Sequence, residues 1–505
     1  MKAIKNILSI CSVALLLGSC QADLLETKPY GNVAAGNMWT SENFADKGVT
    51  AIYSTLRKSY VGLGLYQMDC LGVSTDCRDA DYPIMRNTIT TSNGMFSSYW
   101  SEHYSGISRA NDAIVHLPEV DMPENKKARY MAEAKVLRAY FYYKLNIMYK
   151  GVPVYLEPVE ASECTKGQET EAAVWQVIED DLTAAINEPN LPNIYTEGSS
   201  DYGRVTKGLA YALRGKAYLY QKEYAKAAAD FEAVSQCGFG LFEGDYKQLF
   251  KEANEQSKEM IFSVQCIGLD GLGNDISFRY GTRSSFGSCW NTYLVNADFV
   301  ETYENADGSK FNWNDYIPGY NEMEPAARAV FFLRDGLTDA EKEAMKTAGA
   351  DMSKYLPEGN EARIKAAYAN RDPRLTASII TPYSTYDGAN GSNEYTYTLR
   401  WPFRAGDVSE PFDLKTDTNN RFYYLYRKFV AEGASEIPNR SYSPIDVPLI
   451  RYADILLNLA ECYNELNQED KAIACVNQVR ERAGAALLNS NDATTVKGQD
   501  DLRER

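Results

Sequence analysis

The sequence predicts a mainly α fold: TPR-like helical repeats, about four helix pairs, carrying a large loop-rich insertion with short strands. Three observations carry this expectation. Two distant segments repeat each other at fixed offsets. Unbroken helical periodicity fills 124–149 and 171–186. Residues 265–440 lose that periodicity and become dense in Gly, Asn, Asp, Tyr and Trp.

The repeat is Tyr211-Ala-Leu-Arg-Gly215-Lys-Ala-Tyr218, followed by Ala227 and Phe231. Its counterpart is Leu456-Leu-Asn-Leu-Ala460-Glu-Cys-Tyr463, followed by Ala472 and Val476. A large apolar residue, a small one, a Tyr, an Ala and an apolar residue recur at the same offsets. Small residues there let two antiparallel helices approach closely, as in tetratricopeptide repeats. The pairs lie near 205–236 and 450–482.

The elements follow in order. Phe44, Gly48, Ile52 and Leu56 form one helical stripe beginning near Ser41. Residues 59–98 read as loops. A helix is expected from Tyr99 to Leu117, closed by Pro118, and a long one from Glu124 to Tyr149. Gly151 and Pro153 are its stop signals. Val174, Ile178, Leu182 and Ala185 mark a helix over 171–186. Inside the insertion, Thr338-Asp-Ala-Glu341 is a capping box. Tyr395–Trp401 and Arg421–Phe429 read as strands. An insertion of this length in a compact domain is expected to be functional.

The first residues are a leader. Lys2 and Lys5 precede an apolar run from Ile7 to Leu17, and Leu17-Gly18-Ser19-Cys20 closes it. This is a secretory signal with the cysteine that bacterial lipoprotein processing requires. The run is too short to span a bilayer of about 30 Å. The expected organisation is a signal peptide over 1–19, a lipidated tether over 20–40 anchored at Cys20, and one domain over 41–505. Lipid at Cys20 places the protein at an extracytoplasmic membrane surface.

Composition excludes several functions. The net charge is −17, with 52 basic and 69 acidic residues. Such a balance argues against nucleic acid, whose phosphates need a basic patch. Only His103 and His116 are present, which argues against His-rich metal sites and a Ser/His/Asp triad. Of ten cysteines, Cys462 and Cys475 fall on an apolar helical pattern and read as small core residues. Cys70 and Cys77 have a spacing that allows, but does not require, a bridge across a short loop. Gly268–Asp275 lacks the alternating acids and terminal Glu of an EF-hand and reads as a loop. No cofactor is expected; structural calcium has no support in the spacing.

Several stretches together resemble the SusD/RagB family of outer-membrane lipoproteins. They are Ile107-Ser-Arg-Ala-Asn-Asp-Ala-Ile114, Glu133-Ala-Lys-Val-Leu-Arg-Ala-Tyr140 with Gly151-Val-Pro-Val154, Arg371-Asp-Pro-Arg-Leu375, Ile450–Glu461 and Val476–Gly484. The resemblance implies a SusD-like fold with a loop-rich binding face. It implies a cell-surface lid over a SusC-like TonB-dependent transporter, a glycan or other nutrient as ligand, and no enzymatic activity. Family members continue past an Arg-Glu-Arg run with a basic, aromatic segment. This chain stops at Arg503-Glu-Arg505, so its last helix is expected to lack that support.

The resemblance places ligand contacts in the loop before the Asn-Asp helix and in the central insertion. Those stretches hold Arg78, Asp79 and Tyr82, flanked by Asp76 and Asp81, and then Phe278, Tyr280, Trp290, Trp313, Tyr316 and Tyr320. Flat aromatic faces suit sugar C–H surfaces, and planar polar groups suit hydroxyls. Trp100, just before a helix, and Trp175, inside one, read as core, and both histidines as core or surface filler. Two other readings remain at the sequence level. One is a TPR-type envelope scaffold without its own small ligand, or a binder of a non-glycan nutrient such as peptide. The other is a glycosidase using two carboxylates, for which no pair stands out.

Overall fold

A computed structural model describes residues 38–505, except 80–81, 407–408, 418–423 and 434–438. Cys20, the leader, most of the tether and Asp81 lie outside the described residues.

Eight long helices form the frame: α1 (Glu42–Ser54), α2 (Gly94–His116), α3 (Glu124–Tyr149), α4 (Glu171–Ile186), α5 (Lys207–Tyr220), α6 (Tyr224–Gln236), α7 (Tyr452–Glu465) and α8 (Glu469–Arg482). Each packs on the next in chain order, and α6 packs on α7 across the insertion. That makes four successive pairs, as the repeat predicts. The close approach comes from the small residues. A Cβ added at Gly215 would meet the Phe231 ring at 2.6 Å, and one at Gly106 would meet the Phe141 ring at 2.4 Å. Side chains of Asn93, Thr170 and Thr206 cap α2, α4 and α5.

One boundary differs clearly from expectation. Helix α2 starts at Gly94 rather than Tyr99, because the Asn93 side chain accepts from Met95 N and caps it early. Trp100 is therefore inside the helix and half-buried, whereas Trp175 is fully core. The stretch 59–93 holds short π and 3₁₀ turns and the strand β1 (Thr75–Cys77).

The insertion leaves and rejoins the frame through one antiparallel ladder. β2 (Met260–Val264) pairs with β9 (Val447–Arg451), matching Met260 with Arg451 and Val264 with Val447. Between them lie β3 (Tyr293–Val295) paired with β1, β4 (Ile379–Ile380) paired with β8 (Leu425–Tyr426), and the sheet β5–β6–β7 (Thr385–Asn390, Asn393–Thr398, Phe412–Asp413). Short helices also occur there, at Asp339–Thr347 and Asn360–Ala369 among others. The Thr338–Glu341 capping box opens the first of these. Of the expected strands, Tyr395–Trp401 overlaps β6, and in the described part of 421–429 Tyr424 bridges Val295 and Leu425–Tyr426 forms β8.

Buried polar residues lock the elements together. Arg138 of α3 makes a bidentate pair with Asp181 of α4 at 2.7 and 2.8 Å. Its remaining Nη reaches Asn111 of α2 and Leu156 O. Glu133 accepts from Tyr53 of α1 and from Arg204. Arg371 donates to the carbonyls of Val300, Tyr303 and Glu304, stitching the insertion to itself. Arg138, Glu133 and Arg371 therefore act as pegs between elements.

Cys70 and Cys77 are free buried thiols, and Cys462 and Cys475 are core residues. His103 is buried against Tyr99, and burial pushes its pKa down to about 4. His116 stacks on Trp39. The last turn, Gln499–Glu504, is tied to α7 by reciprocal bonds between Gln499 and Asn464 and by the Arg503–Glu465 pair. Among the described residues no helix is long and apolar enough to cross a membrane, and no group of three or more metal-ligating side chains occurs.

Two predictions follow from this frame. Arg138→Ala leaves Asp181 buried without its partner and should cost about 3–5 kcal/mol of stability. Arg138→Met with Asp181→Leu should recover most of that loss; denaturant unfolding of both variants decides it. The second concerns pH. Burial raises Asp446 to about 8 and Glu255 beside it to about 7. Both therefore bind protons more tightly folded than unfolded, where carboxyls titrate near 4. Their contribution is complete at acid pH and is lost as pH rises through 7 and 8. The melting temperature should fall from pH 5.5 to 8.5 (~3 units spanning both values). Asp446→Asn should flatten that slope, and an unchanged slope would refute the assignment.

Candidate functional site

The site begins with the turn after the short helix Ile276–Tyr280. Trp290 N donates to Phe278 O at 2.9 Å, which folds the loop back on itself. The Trp290 ring then rests on Phe278, centroids 4.7 Å apart. Phe278 is buried and Trp290 is 37 % exposed, so the pair is a supported aromatic face open to solvent.

Charged groups fix that face. Arg78, just beyond β1, reaches Trp290 O and Asp417 Oδ2, both at 2.6 Å. Asp417 also accepts from Arg283 Nε at 2.5 Å, and the Arg283 guanidinium lies 5.9 Å from the Trp290 ring centroid. On the other side the Arg440 guanidinium lies over Phe278 at 4.9 Å. Segments far apart in sequence thus converge on one aromatic pair, and carboxylate and guanidinium forks hold them in a defined orientation.

Arg283 is also one wall of a cleft of about 970 Å³. Its other walls include Phe286, Tyr395, Tyr397, Phe403, Arg404 and Phe412. Tyr395 and Tyr397 are two apart on β6 and share a face of the strand. Phe412 of β7 stands edge-on to Tyr395 at 5.7 Å. Gly388 on β5 makes the join. A Cβ there would sit 2.2 Å from Ser284 O and 2.9 Å from the Tyr397 ring. Without one, Ala389 N reaches Ser284 O at 2.8 Å, and Arg283 N bonds Lys415 O at 3.0 Å. The loop and the three-stranded sheet therefore form one continuous surface, with Trp290 at its rim.

One acid lines the cleft among the described residues, Asp413. Its carboxylate is fully buried and accepts from Arg334, Arg400 and Arg404 N. Arg404 in turn forks onto Glu341 at 2.7 and 2.9 Å, which holds Glu341 down to about 2. Asp413 and Arg404 are thus tied into the walls of the cleft.

Of the residues selected from the sequence, Arg78, Phe278 and Trp290 come together. Asp79 lies at their edge, 3.4 Å from Arg78 Nε. Tyr82 packs edge-on to Tyr293 at 6.4 Å, half-buried, and burial raises its pKa to about 12. Four selected aromatics, Tyr280, Trp313, Tyr316 and Tyr320, lie elsewhere. Tyr280 is core, stacked on Tyr426 at 4.0 Å. Trp313 is 2 % exposed, enclosed by Phe311, Tyr320, Phe332 and Tyr368, with its indole N–H on Glu301. Tyr316 stacks on Phe311 beside it. Trp313 and Tyr320 are buried in this hydrophobic cluster of the insertion, and Tyr316 is half-buried at its edge. The sequence reading missed Tyr395, Tyr397, Phe403 and Phe412. The two-residue alternation of tyrosines on an expected strand was the available signal.

A family model described as SusD family matches residues 258–505, and one described as starch-binding associating with outer membrane matches 25–219. The SusD-like protein P38 of Formosa agariphila is 24 % identical, over all of this chain and 88 % of that relative. A crystal structure of a SusD-like protein from Bacteroides fragilis superposes with a TM-score of 0.72 at 21 % identity, covering 95 % of this chain and 85 % of that one. A laminarin-binding SusD-like protein superposes with a TM-score of 0.60 at 22 % identity, covering 89 % and 86 %. The helical frame, the looped insertion and these matches lead to one conclusion: the chain belongs to the SusD/RagB family.

Proposed function

We propose that this protein is a cell-surface lipoprotein, acylated at Cys20, that captures a glycan and delivers it to a SusC-like TonB-dependent transporter. The observation that carries the ligand class is the Trp290 face on Phe278 at the rim of an aromatic cleft. A cleft of that volume takes several sugar units. Exposed rings supply apolar area to sugar faces, and Arg78 and Arg283 supply planar donors to hydroxyls. The laminarin-binding relative makes a glycan the natural ligand class. Binding rather than hydrolysis is the fitting chemistry. A glycosidase needs two carboxyls flanking the scissile bond, and Asp413 is committed to three donors. Capture at a surface works with modest affinity per site, because many anchored copies raise avidity.

A second reading rests on a different feature. A cleft of about 520 Å³ runs along α2 between Trp100, Tyr104 and Val159. It suits a protein partner, either the transporter or, in a scaffold without its own small ligand, another envelope protein.

Trp290→Ala should weaken retention on the cognate polysaccharide at least tenfold in affinity gels, since central aromatic anchors are worth about 2 kcal/mol or more. Asp417→Ala should weaken it too, by freeing Arg78 and Arg283, while the melting temperature stays near wild type. Unchanged retention in both variants would place the ligand elsewhere. Cys20→Ala should move the protein out of the membrane fraction, and continued fractionation with membranes would remove the anchor from the account.

A further inference from the structure

A third cleft, of about 570 Å³, opens where the C-terminal end of α8 meets the base of the insertion. Its walls carry Arg374, Arg451, Arg480, Arg482 and Arg505, against two lining carboxylates, Glu304 and Asp454. In a chain with 52 basic and 69 acidic residues this is a local reversal of sign. None of these residues belongs to the Trp290 site.

The pairing within the cleft does not balance. Arg374 is held by Asp372, Arg480 by Glu304 and Arg505 by Asp501, whereas Arg451 and Arg482 share Glu259. Asp454 is taken by Lys216 at 2.8 Å. Four carboxylates therefore serve five guanidiniums. Arg482 carries the consequence of that mismatch. Its side chain is 7 % exposed, it lines the cleft, and its Nε is buried with no hydrogen-bond partner. A buried donor left unpaired is costly, and an arriving acceptor removes that cost.

Tyr246 reports the same excess from the cleft wall. Arg482 lies over its ring at 4.8 Å. Burial alone would raise its phenol. Lys428, Arg451 and Arg482 outweigh burial and hold it below its ordinary value. Neighbouring positive charge favours an anion there.

We propose that this cleft binds an oxyanion, a carboxylate, sulfate or phosphate group on a small ligand, with Arg482 and Arg451 as its main donors. Guanidinium forks match the planar or tetrahedral oxygens of such groups. Phe299, Tyr303 and Leu457 add apolar wall beside the arginines, which suits an acidic sugar as well as a free ion.

The test is calorimetric titration of the chain from residue 21 onward at constant ionic strength. The probes are inorganic sulfate, inorganic phosphate, glucuronate and glucose 6-sulfate, with glucose as the neutral control. Saturable binding of oxyanions but not of glucose is expected. Arg482→Lys keeps a cation beside Glu259 but removes the fork, and should weaken binding about tenfold. Arg505→Ala should weaken it several-fold, and Trp290→Ala should leave it unchanged. Tighter binding of the sugar acids than of the free ions would support the site and assign it an acidic sugar. Equal binding would support it as a free-ion site. Absence of saturable binding for all four oxyanions would overturn the proposal. So would wild-type affinity in Arg482→Lys and Arg505→Ala when both melt normally.

Discussion

The fully buried carboxylate of Glu259 holds the two halves of this protein together. It stands at the entry to β2, where the chain leaves the helical frame. It accepts from Arg451 at the end of β9, where the chain returns, from Arg482 of α8, and from Phe242 N. Tyr452 N, the first residue of α7, donates to Glu259 O. One acid thus fixes where the insertion starts, where it ends and how the last helix pair sits against both. A buried carboxylate is tolerable only with such partners. Arg482, which lines the adjacent cleft, also keeps a buried Nε without a hydrogen-bond partner.

The insertion is long and poor in regular structure, yet its surface is defined. Its order comes from side-chain pegs instead of ladders. Arg371 caps three carbonyls and covers the Phe311 ring at 3.6 Å. Asp413 gathers Arg334, Arg400 and the Arg404 backbone. Asp417 joins Arg78 to Arg283. Beneath these lies the Trp313 cluster, which supplies the hydrophobic burial that short strands cannot. A loop surface held this way can carry a precise aromatic platform while its outer residues vary.

The frame was legible in the sequence because it obeys a period. Glu124–Tyr149 and Glu171–Ile186 emerge with the bounds their apolar spacing gives, and Gly215 faces Phe231 as the repeat requires. Helix α2 was read short because its start depends on a cap at Asn93, ahead of the apolar pattern. The site was legible only in part. Arg78 and Trp290 were selected by region, and their meeting depends on the pairing of β1 with β3, more than 200 positions apart. Trp313 and Trp290 are the same residue type in similar surroundings of sequence. Only tertiary packing makes one the core and the other the rim. Residue type therefore singles out the insertion without saying which ring faces solvent.

The most direct test of the account is the structure of this protein with an oligosaccharide of its cognate glycan. The account predicts sugar rings laid on the Trp290 face and running into the Tyr395–Phe412 cleft, with hydroxyls bonded to Arg78 or Arg283. A sugar bound along α2 or elsewhere on the helical frame, with Trp290 and the cleft empty, would contradict it.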